Sequence, residues 1–199
     1  MCLTPGLPGG LGPCVIGNLR NCRNMEAETE RLYANLESLG AATAFVDEIV
    51  DIIDFVPLFQ GLDQAEIRTI AQFMSCYGAP TGETLLREGE PGDYLLLLLT
   101  GEAEVWKRDD KGTKRKIALV TPGTTLGEMS LMDGQPRSAT CVTSMPVDFA
   151  VLHRDDINQL LDASPRLCAK FTLLLLQMMT RRLRDTSNRM LHQVAGPLV

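Results

Sequence analysis

The sequence predicts an α+β fold, an antiparallel β barrel or sandwich flanked by helices. Three observations carry this. Across residues 84–152 the apolar runs are short and broken by turn residues, the pattern of successive strands rather than of βαβ units. On both sides of that stretch the apolar spacing changes to the helical period. The 199 residues are 45% hydrophobic and 22% charged, a globular composition. The longest apolar run, residues 171–179, is too short to cross a bilayer.

Taken in order, residues 1–24 are too rich in Gly and Pro to build a core (Pro5-Gly6, Pro8-Gly9-Gly10, Gly12-Pro13) and read as a disordered or loosely docked lead-in. Their glycine-rich run lacks both the preceding strand and the following Lys of a phosphate loop. Residues 25–56 read as helical, with one apolar stripe of Met25, Leu32, Leu36 and Leu39. After a break near Gly40 a second stripe runs Ala42, Phe45, Val46, Ile49, Val50 and Ile53. A short helix is expected from Asp63, with Glu66 completing a capping box. Strands are expected at 84–87, 94–100, 103–107, 116–120, 139–143 and 147–152. A helix follows at 155–161, then a long one from Ser164 or Pro165 to about Gln193, with Pro165 at its first position.

The formal net charge is −6, and residues 25–55 alone carry −7. An acidic chain is a poor general coat for nucleic acid or a membrane surface. The six cysteines (Cys2, Cys14, Cys22, Cys76, Cys141, Cys168) form no CxxC pair, and His153 and His192 are the two histidines, so no zinc site is expected. No secretory signal is evident, and dispersed cysteines then read as reduced, buried thiols in a cytoplasm.

Residues 126–140 break the strand rhythm: Leu-Gly-Glu-Met-Ser-Leu-Met-Asp-Gly-Gln-Pro-Arg-Ser-Ala-Thr. Gly127-Glu128 can open a helical turn whose first N–H groups and dipole favour an anion. Arg137 supplies a fixed cation able to grip phosphate oxygens, and Ser138 a hydroxyl. An ionised Glu128 repels phosphate but accepts hydrogen bonds from sugar hydroxyls. A sugar phosphate needs both. By residue type alone, a Glu128–Arg137 surface salt bridge in an ordinary loop remains the competing reading.

This stretch resembles the phosphate-binding cassette of the cyclic nucleotide-binding domain family: Gly-Glu, a short helix, then Pro-Arg-Ser-Ala-Thr. The resemblance continues in Pro57-Leu58-Phe59 with Leu62, similar to an entry helix. It continues in Glu88-Gly89 through Gly92-Asp93-Tyr94, and in Gly101-Glu102-Ala103-Glu104-Val105. It implies an antiparallel β jelly-roll barrel flanked by N-terminal helices and a long C-terminal dimerisation helix. The nucleotide-binding unit would span 56–193, after an acidic helical segment at 25–55 and before a tail at 194–199. The candidate ligand contacts are Gly127, Glu128, Met129, Ser130, Leu131, Arg137, Ser138, Ala139 and Thr140. In these roles Glu128 accepts the ribose 2′-hydroxyl and Arg137 neutralises the cyclic phosphate. The amides near Ser130 and Leu131, with the Ser138 hydroxyl and amide, complete the grip. Gly127 permits close approach of the backbone. Leu126 stands where the family commonly has an aromatic residue.

Residues 179–187 (Met-Thr-Arg-Arg-Leu-Arg-Asp-Thr-Ser) resemble the dimerisation helix of bacterial catabolite activator proteins, whose Thr-Ser pair contacts adenine across two subunits. Leu176, Met179, Leu183, Thr186 and Met190 form a short coiled-coil-like seam. The resemblance therefore implies a homodimer binding cAMP, with Thr186 and Ser187 on the base; Ser138 keeps cGMP open, and cyclic di-GMP is a further alternative. The expected role is a sensor and adaptor, not an enzyme, with no catalytic or metal-binding residues. It would signal to a protein partner through residues 25–55. The alternative role is a DNA-associated transcription regulator of the catabolite activator type lacking its own reader, since the few residues after 194 are too short for a DNA-reading unit. The basic run Arg181, Arg182, Arg184, Arg189 reads as a solvated face or as intramolecular pairing.

Overall fold

A computed structural model describes residues 36–45, 56 and 58–194. The expected lead-in over 1–24, the apolar stripes at 25–35 and 46–55, Pro57 and the tail after 194 lie outside the described residues. So do Cys2, Cys14 and Cys22.

The described chain runs β1 (Glu37–Ala41), a 3₁₀ turn (Ala42–Phe45), α1 (Gln64–Ala71), β2 (Ser75–Ala79), β3 (Thr84–Leu86) and β4 (Tyr94–Leu98). Next come β5 (Ala103–Arg108), β6 (Lys114–Val120), β7 (Thr125–Leu126), α2 (Glu128–Asp133), β8 (Thr140–Thr143) and β9 (Val147–His153). Two helices close it, α3 (Arg154–Ala163) and α4 (Pro165–Val194). The strands form two antiparallel sheets, ordered β1-β2-β9-β4-β7 and β3-β8-β5-β6. This is the α+β jelly-roll arrangement the sequence implied, with the long C-terminal helix in place.

Its core follows from side-chain alternation along the central strands. On β4, Tyr94, Leu96 and Leu98 face the space between the sheets, with Leu85, Phe149 and Val151. Leu95, Leu97 and, just past the strand, Leu99 face the other way, into a cluster with Ile67, Ile70, Leu160, Phe171, Leu175 and Met178 from the helices. A strand buried on both faces is written as an unbroken apolar run, as 94–99 is. Each fully buried leucine contributes roughly 1.5–3 kcal/mol. At Asp63, the side chain accepts from the Glu66 amide at 2.8 Å while Glu66 accepts from the Asp63 amide at 2.9 Å, so the expected capping box starts α1.

Two expectations need correction. The helix expected through 37–45 is a strand and a 3₁₀ turn. β1 pairs with β2 along Glu37–Gly78 to Ala41–Ser75, with a register shift near Gly40 (φ +95°). Sheet pairing overrides a helical spacing that leaves little to bury: only Leu39 of β1 is even half-buried. The entry helix at Leu58–Leu62 is instead a pair of tight turns, Phe59 N–H to Val56 O and Leu62 N–H to Phe59 O, both 3.0 Å. Among the described residues, no helix is long and apolar enough to cross a membrane. Cys76, Cys141 and Cys168 are buried free thiols, and burial pushes the Cys141 thiol up to about 12.

Candidate functional site

The cassette is assembled around Arg137. Its main chain is clipped to the 88–93 turn: Arg137 N–H donates to Glu90 O at 2.7 Å, and Gly89 N–H donates to Arg137 O at 2.9 Å. Thr140 holds the same turn by accepting the Glu88 amide at 3.0 Å. The side chain then runs inward. Its NH1 donates to Tyr94 O and to Gly127 O, each at 2.9 Å, and the guanidinium lies 4.2 Å from the Tyr94 ring centroid, a cation–π contact. The residue is only 4% exposed. Its NH2 is buried without a hydrogen-bond partner, and such a donor costs free energy unless something accepts from it.

Two glycines make this burial possible. A Cβ at Gly92 would lie 2.1 Å from Arg137 Nε, and one at Gly127 would lie 2.5 Å from Arg137 NH1. Gly127 also has φ +83° and begins α2, a conformation that only glycine adopts freely. Since the first bond of α2 is Leu131 N–H to Gly127 O at 3.2 Å, the amides before it have no carbonyl within the helix. That corrects the expectation for Leu131: its amide is already engaged and its side chain is in the core, whereas the Ser130 amide has no acceptor inside α2.

Glu128 is buried at 7% exposure. The surface salt bridge to Arg137 that residue types permit is not formed among the described residues. Glu128 Oε1 instead accepts from Arg182 NH1 of α4, and Arg182 NH2 donates to Thr125 O at 2.9 Å and Thr125 Oγ1 at 3.2 Å. The basic run of α4 thus resolves, at Arg182, into intramolecular pairing. Arg182 is the site residue that sequence reasoning missed. Its signal, a Glu and an Arg on separate elements, appears only once the fold joins them.

The remaining candidates divide. Ser138 is exposed, with Oγ 3.8 Å from the sulfur of the half-exposed Met129; Ala139 is half-buried. Thr140 acts on the 88–93 turn as described. Thr186 and Ser187 are exposed, one turn beyond Arg182, with their hydroxyls donating to Arg182 O at 2.8 Å and Leu183 O at 3.0 Å. The expected seam shifts as well. Met179 packs against the core, while Leu173, Leu176, Leu183 and Met190 are exposed apolar residues among the described ones of α4.

Below the cassette, Arg154 NH2 donates to Ser130 O at 2.9 Å, a cation at the carbonyl end of α2. Asp93 sits 3.8 Å from His153 Nδ1. That imidazole, with Arg137 adding in the same direction, holds the Asp93 carboxyl below the usual aspartate range. Among the described residues, no group of three or more His, Cys, Asp or Glu could hold a metal ion. Chemically, the site offers a buried cation with an unused donor, an open amide at a helix start, and a buried carboxylate: an anion grip beside a hydroxyl acceptor.

Comparison with known proteins agrees with this geometry. Residues 79–164 match the family model for the cyclic nucleotide-binding domain. A crystal structure of a cyclic nucleotide-binding domain from Methylobacillus flagellatus is 45% identical, covers 84% of this chain and 94% of its own, and superposes with a TM-score of 0.75. A CRP-like cAMP-activated global transcriptional regulator of Mycobacterium tuberculosis is 27% identical over 140 residues, 70% of this chain and 61% of the regulator. The chain thus spans less than two thirds of that relative. A cAMP-dependent protein kinase regulatory subunit of Aspergillus fumigatus is 37% identical over 109 residues, 55% of this chain and 26% of the subunit. With matching residues, fold and cassette, the chain belongs to the cyclic nucleotide-binding domain family.

Proposed function

We propose that the chain is a cytoplasmic receptor for cAMP that relays occupancy to a protein partner and catalyses no reaction. The observation that carries this is Arg137: a buried guanidinium with its NH2 unpaired suits an anionic ligand oxygen better than any neutral one. In this reading Arg137 neutralises the cyclic phosphate, assisted by the Ser130 amide and by Ser138. Glu128 accepts the ribose 2′-hydroxyl on the carboxylate capacity that Arg182 leaves unused, since a carboxylate accepts about four hydrogen bonds.

The base is read by Thr186 and Ser187. In a homodimer, Leu173, Leu176, Leu183 and Met190 would pack against a second α4, bringing these hydroxyls toward the pocket. The relatives whose names include cAMP support this ligand. Ligand would shift the position of α4 and of residues 25–55, provided it binds one arrangement better than the other.

Calorimetry decides it. Wild type is expected to bind cAMP with a Kd between about 1 nM and about 10 μM, Arg137→Ala to lose binding, and cGMP or cyclic di-GMP to compete poorly. Arg137→Lys, which keeps the charge without the fork, separates loss of grip from loss of fold. Absence of cAMP binding by folded wild type would end this reading.

A further inference from the structure

Away from the cassette, the β5–β6 hairpin is a basic and partly apolar surface on an acidic chain. Residues 107–116 hold six cations, Lys107, Arg108, Lys111, Lys114, Arg115 and Lys116, against Asp109 and Asp110, in a protein of net charge −6. Ala103 and Val105 of β5 pack into the core between the sheets, so Glu104, Trp106 and Arg108 lie on the outer face by alternation. The register sets Leu119 opposite Glu104, Lys116 opposite Trp106, and Lys114 opposite Arg108. One face of the hairpin thus runs from leucine through tryptophan to a pair of opposed cations near the turn.

Two of the six are neutralised locally, Arg115 by Asp109 at 2.8 Å and Lys116 by Glu104 at 2.6 Å. Lys107, Arg108, Lys111 and Lys114 are exposed and form no ion pair among the described residues; Arg108 reaches Glu88 only through its backbone amide. Like charges directly opposite destabilise a strand pair, and Arg108 faces Lys114 with no anion between them among the described residues. Ile117, at the register shift beside Trp106, and Leu119 stand 53% and 49% exposed. Trp106 itself is half-buried. Lysines on an edge strand commonly guard it against aggregation. That accounts for Lys114, but not for Arg108 on the inner strand β5, nor for two exposed aliphatic residues on the edge itself.

We propose that the outer face of the β5–β6 hairpin docks on the surface of an anionic phospholipid bilayer. Each part of the face has a partner there. Arg108 and Lys114, with Lys107 and Lys111 about the turn, meet the acidic headgroups, because clustered cations are drawn to an anionic leaflet. Beside them Trp106 suits the boundary between headgroups and acyl chains, where an aromatic ring with one polar edge is favoured. Ile117 and Leu119 leave water on contact with the same layer. The docking is peripheral and spans nothing. An acidic average over the chain does not decide it. A bilayer senses charges within about a Debye length, roughly 8 Å at physiological salt, and within the hairpin the cations outnumber the acids six to two. Single-stranded nucleic acid is the weaker occupant. It stacks successive bases on aromatic side chains, whereas Trp106 is the one aromatic residue of β5 and β6, and it gains nothing from exposed isoleucine and leucine. The docking rests on register, charge and exposure, whichever nucleotide the cassette takes.

Co-sedimentation of the full chain with vesicles tests this, read together with the emission of Trp106, the one tryptophan of the sequence and so a reporter of this face alone. With phosphatidylcholine vesicles containing phosphatidylserine, the chain is expected to sediment and Trp106 emission to shift to shorter wavelength. Pure phosphatidylcholine should do neither, and added salt should release the protein. Partitioning should fall at least about tenfold in Arg108→Glu/Lys114→Glu, a swap that keeps like charges opposed, and about tenfold in Ile117→Ser/Leu119→Ser. Lys111→Glu, in the turn, leaves both strands untouched and should weaken partitioning severalfold; thermal melting confirms that each variant folds. Failure of folded wild type to sediment, equal partitioning onto phosphatidylcholine alone, indifference to the charge reversal, or sedimentation without a Trp106 shift would overturn the proposal. So would a labelled single-stranded oligonucleotide that binds more tightly than the vesicles and is lost in the same variants. A cAMP titration on these variants, expected to match wild type, keeps this outcome separate from that of the receptor reading.

Discussion

Gly92→Ala is the sharpest test of the cassette, because it alters no polar group and strikes Arg137 alone. The new Cβ would lie 2.1 Å from Arg137 Nε, 2.3 Å from its Cζ and 2.5 Å from NH2. Ordinary contact begins near 3.4 Å, so the guanidinium must retreat by about 1.3 Å. Its NH1 is held at 2.9 Å by both Tyr94 O and Gly127 O, and a retreat of that size carries both bonds past their useful range. Hydrogen bonds to a charged group contribute about 1.5–3 kcal/mol each. With the phosphate grip displaced as well, cAMP affinity should fall about 100- to 1000-fold, some 3–4 kcal/mol. Gly89→Ala is the matched control: its φ of +85° makes alanine strained, yet nothing lies within 4 Å of the added Cβ. It should cost about 1 kcal/mol in urea unfolding and leave affinity within about threefold. Calorimetry on both variants, with thermal melting to confirm folding, reads the difference. A folded Gly92→Ala protein that binds cAMP within about threefold of wild type would refute the placement of Arg137 at the ligand.

Four further outcomes follow from the same geometry. Arg182→Met strands the buried Glu128 carboxylate, and a double-mutant cycle with Glu128→Gln should show a coupling of about 1–3 kcal/mol in urea unfolding; additive effects would deny the pair any energetic role. Asp93, whose pKa is lowered in the fold, adds stability that is fully present above its unfolded pKa of about 3.9 and is lost as pH falls through the folded value. The stability difference between wild type and Asp93→Asn should therefore shrink as pH falls below about pH 4. With its thiol pushed up to about 12, Cys141 is only about one part in 10,000 thiolate at pH 8, so it should resist alkylation until the chain unfolds, as peptide mapping would show. Asp63→Ala removes the cap of α1 and should cost about 1 kcal/mol of stability with cAMP affinity unchanged.

How far the sequence could be read depends on where each element gets its instructions. Strands β3 to β6, β8 and β9 are fixed largely by alternation and by turn residues close in sequence. The doubly buried face of β4 is written directly as an apolar run. β1 was not legible for the opposite reason. Glu37, Ser38, Gly40 and Ala41 are exposed, so local pattern has nothing to sort, and only pairing with β2 decides the conformation. β2 and the two-residue β7 are similarly short of local signal. In the cassette, Gly127, Glu128 and Arg137 were readable as residue types suited to an anion and a hydroxyl. The reason Gly92 must be glycine was not, since it lies in an approach between residues 45 positions apart in the chain.

The charged residues make the point most clearly. From sequence, Arg137 and Arg182 are both arginines near acids, and each could equally have been a solvated side chain. The fold separates them by what shares their burial. Arg182 meets Glu128 and the Thr125 carbonyl, so its charge is matched within the protein, and it ties α4 to the start of the cassette. Arg137 meets only neutral partners, two carbonyls and a tyrosine ring, with its NH2 left over. A guanidinium removed from water without a directly paired carboxylate is costly, and Asp93, bound up with His153, offsets it only in part. That imbalance is local and specific, and a bound anion is what would relieve it. The same reasoning separates the β5–β6 hairpin from the basic run on α4. At Arg182 the fold supplies the matching anion; at Lys107 and Lys114, exposed on that hairpin, no ion pair forms among the described residues.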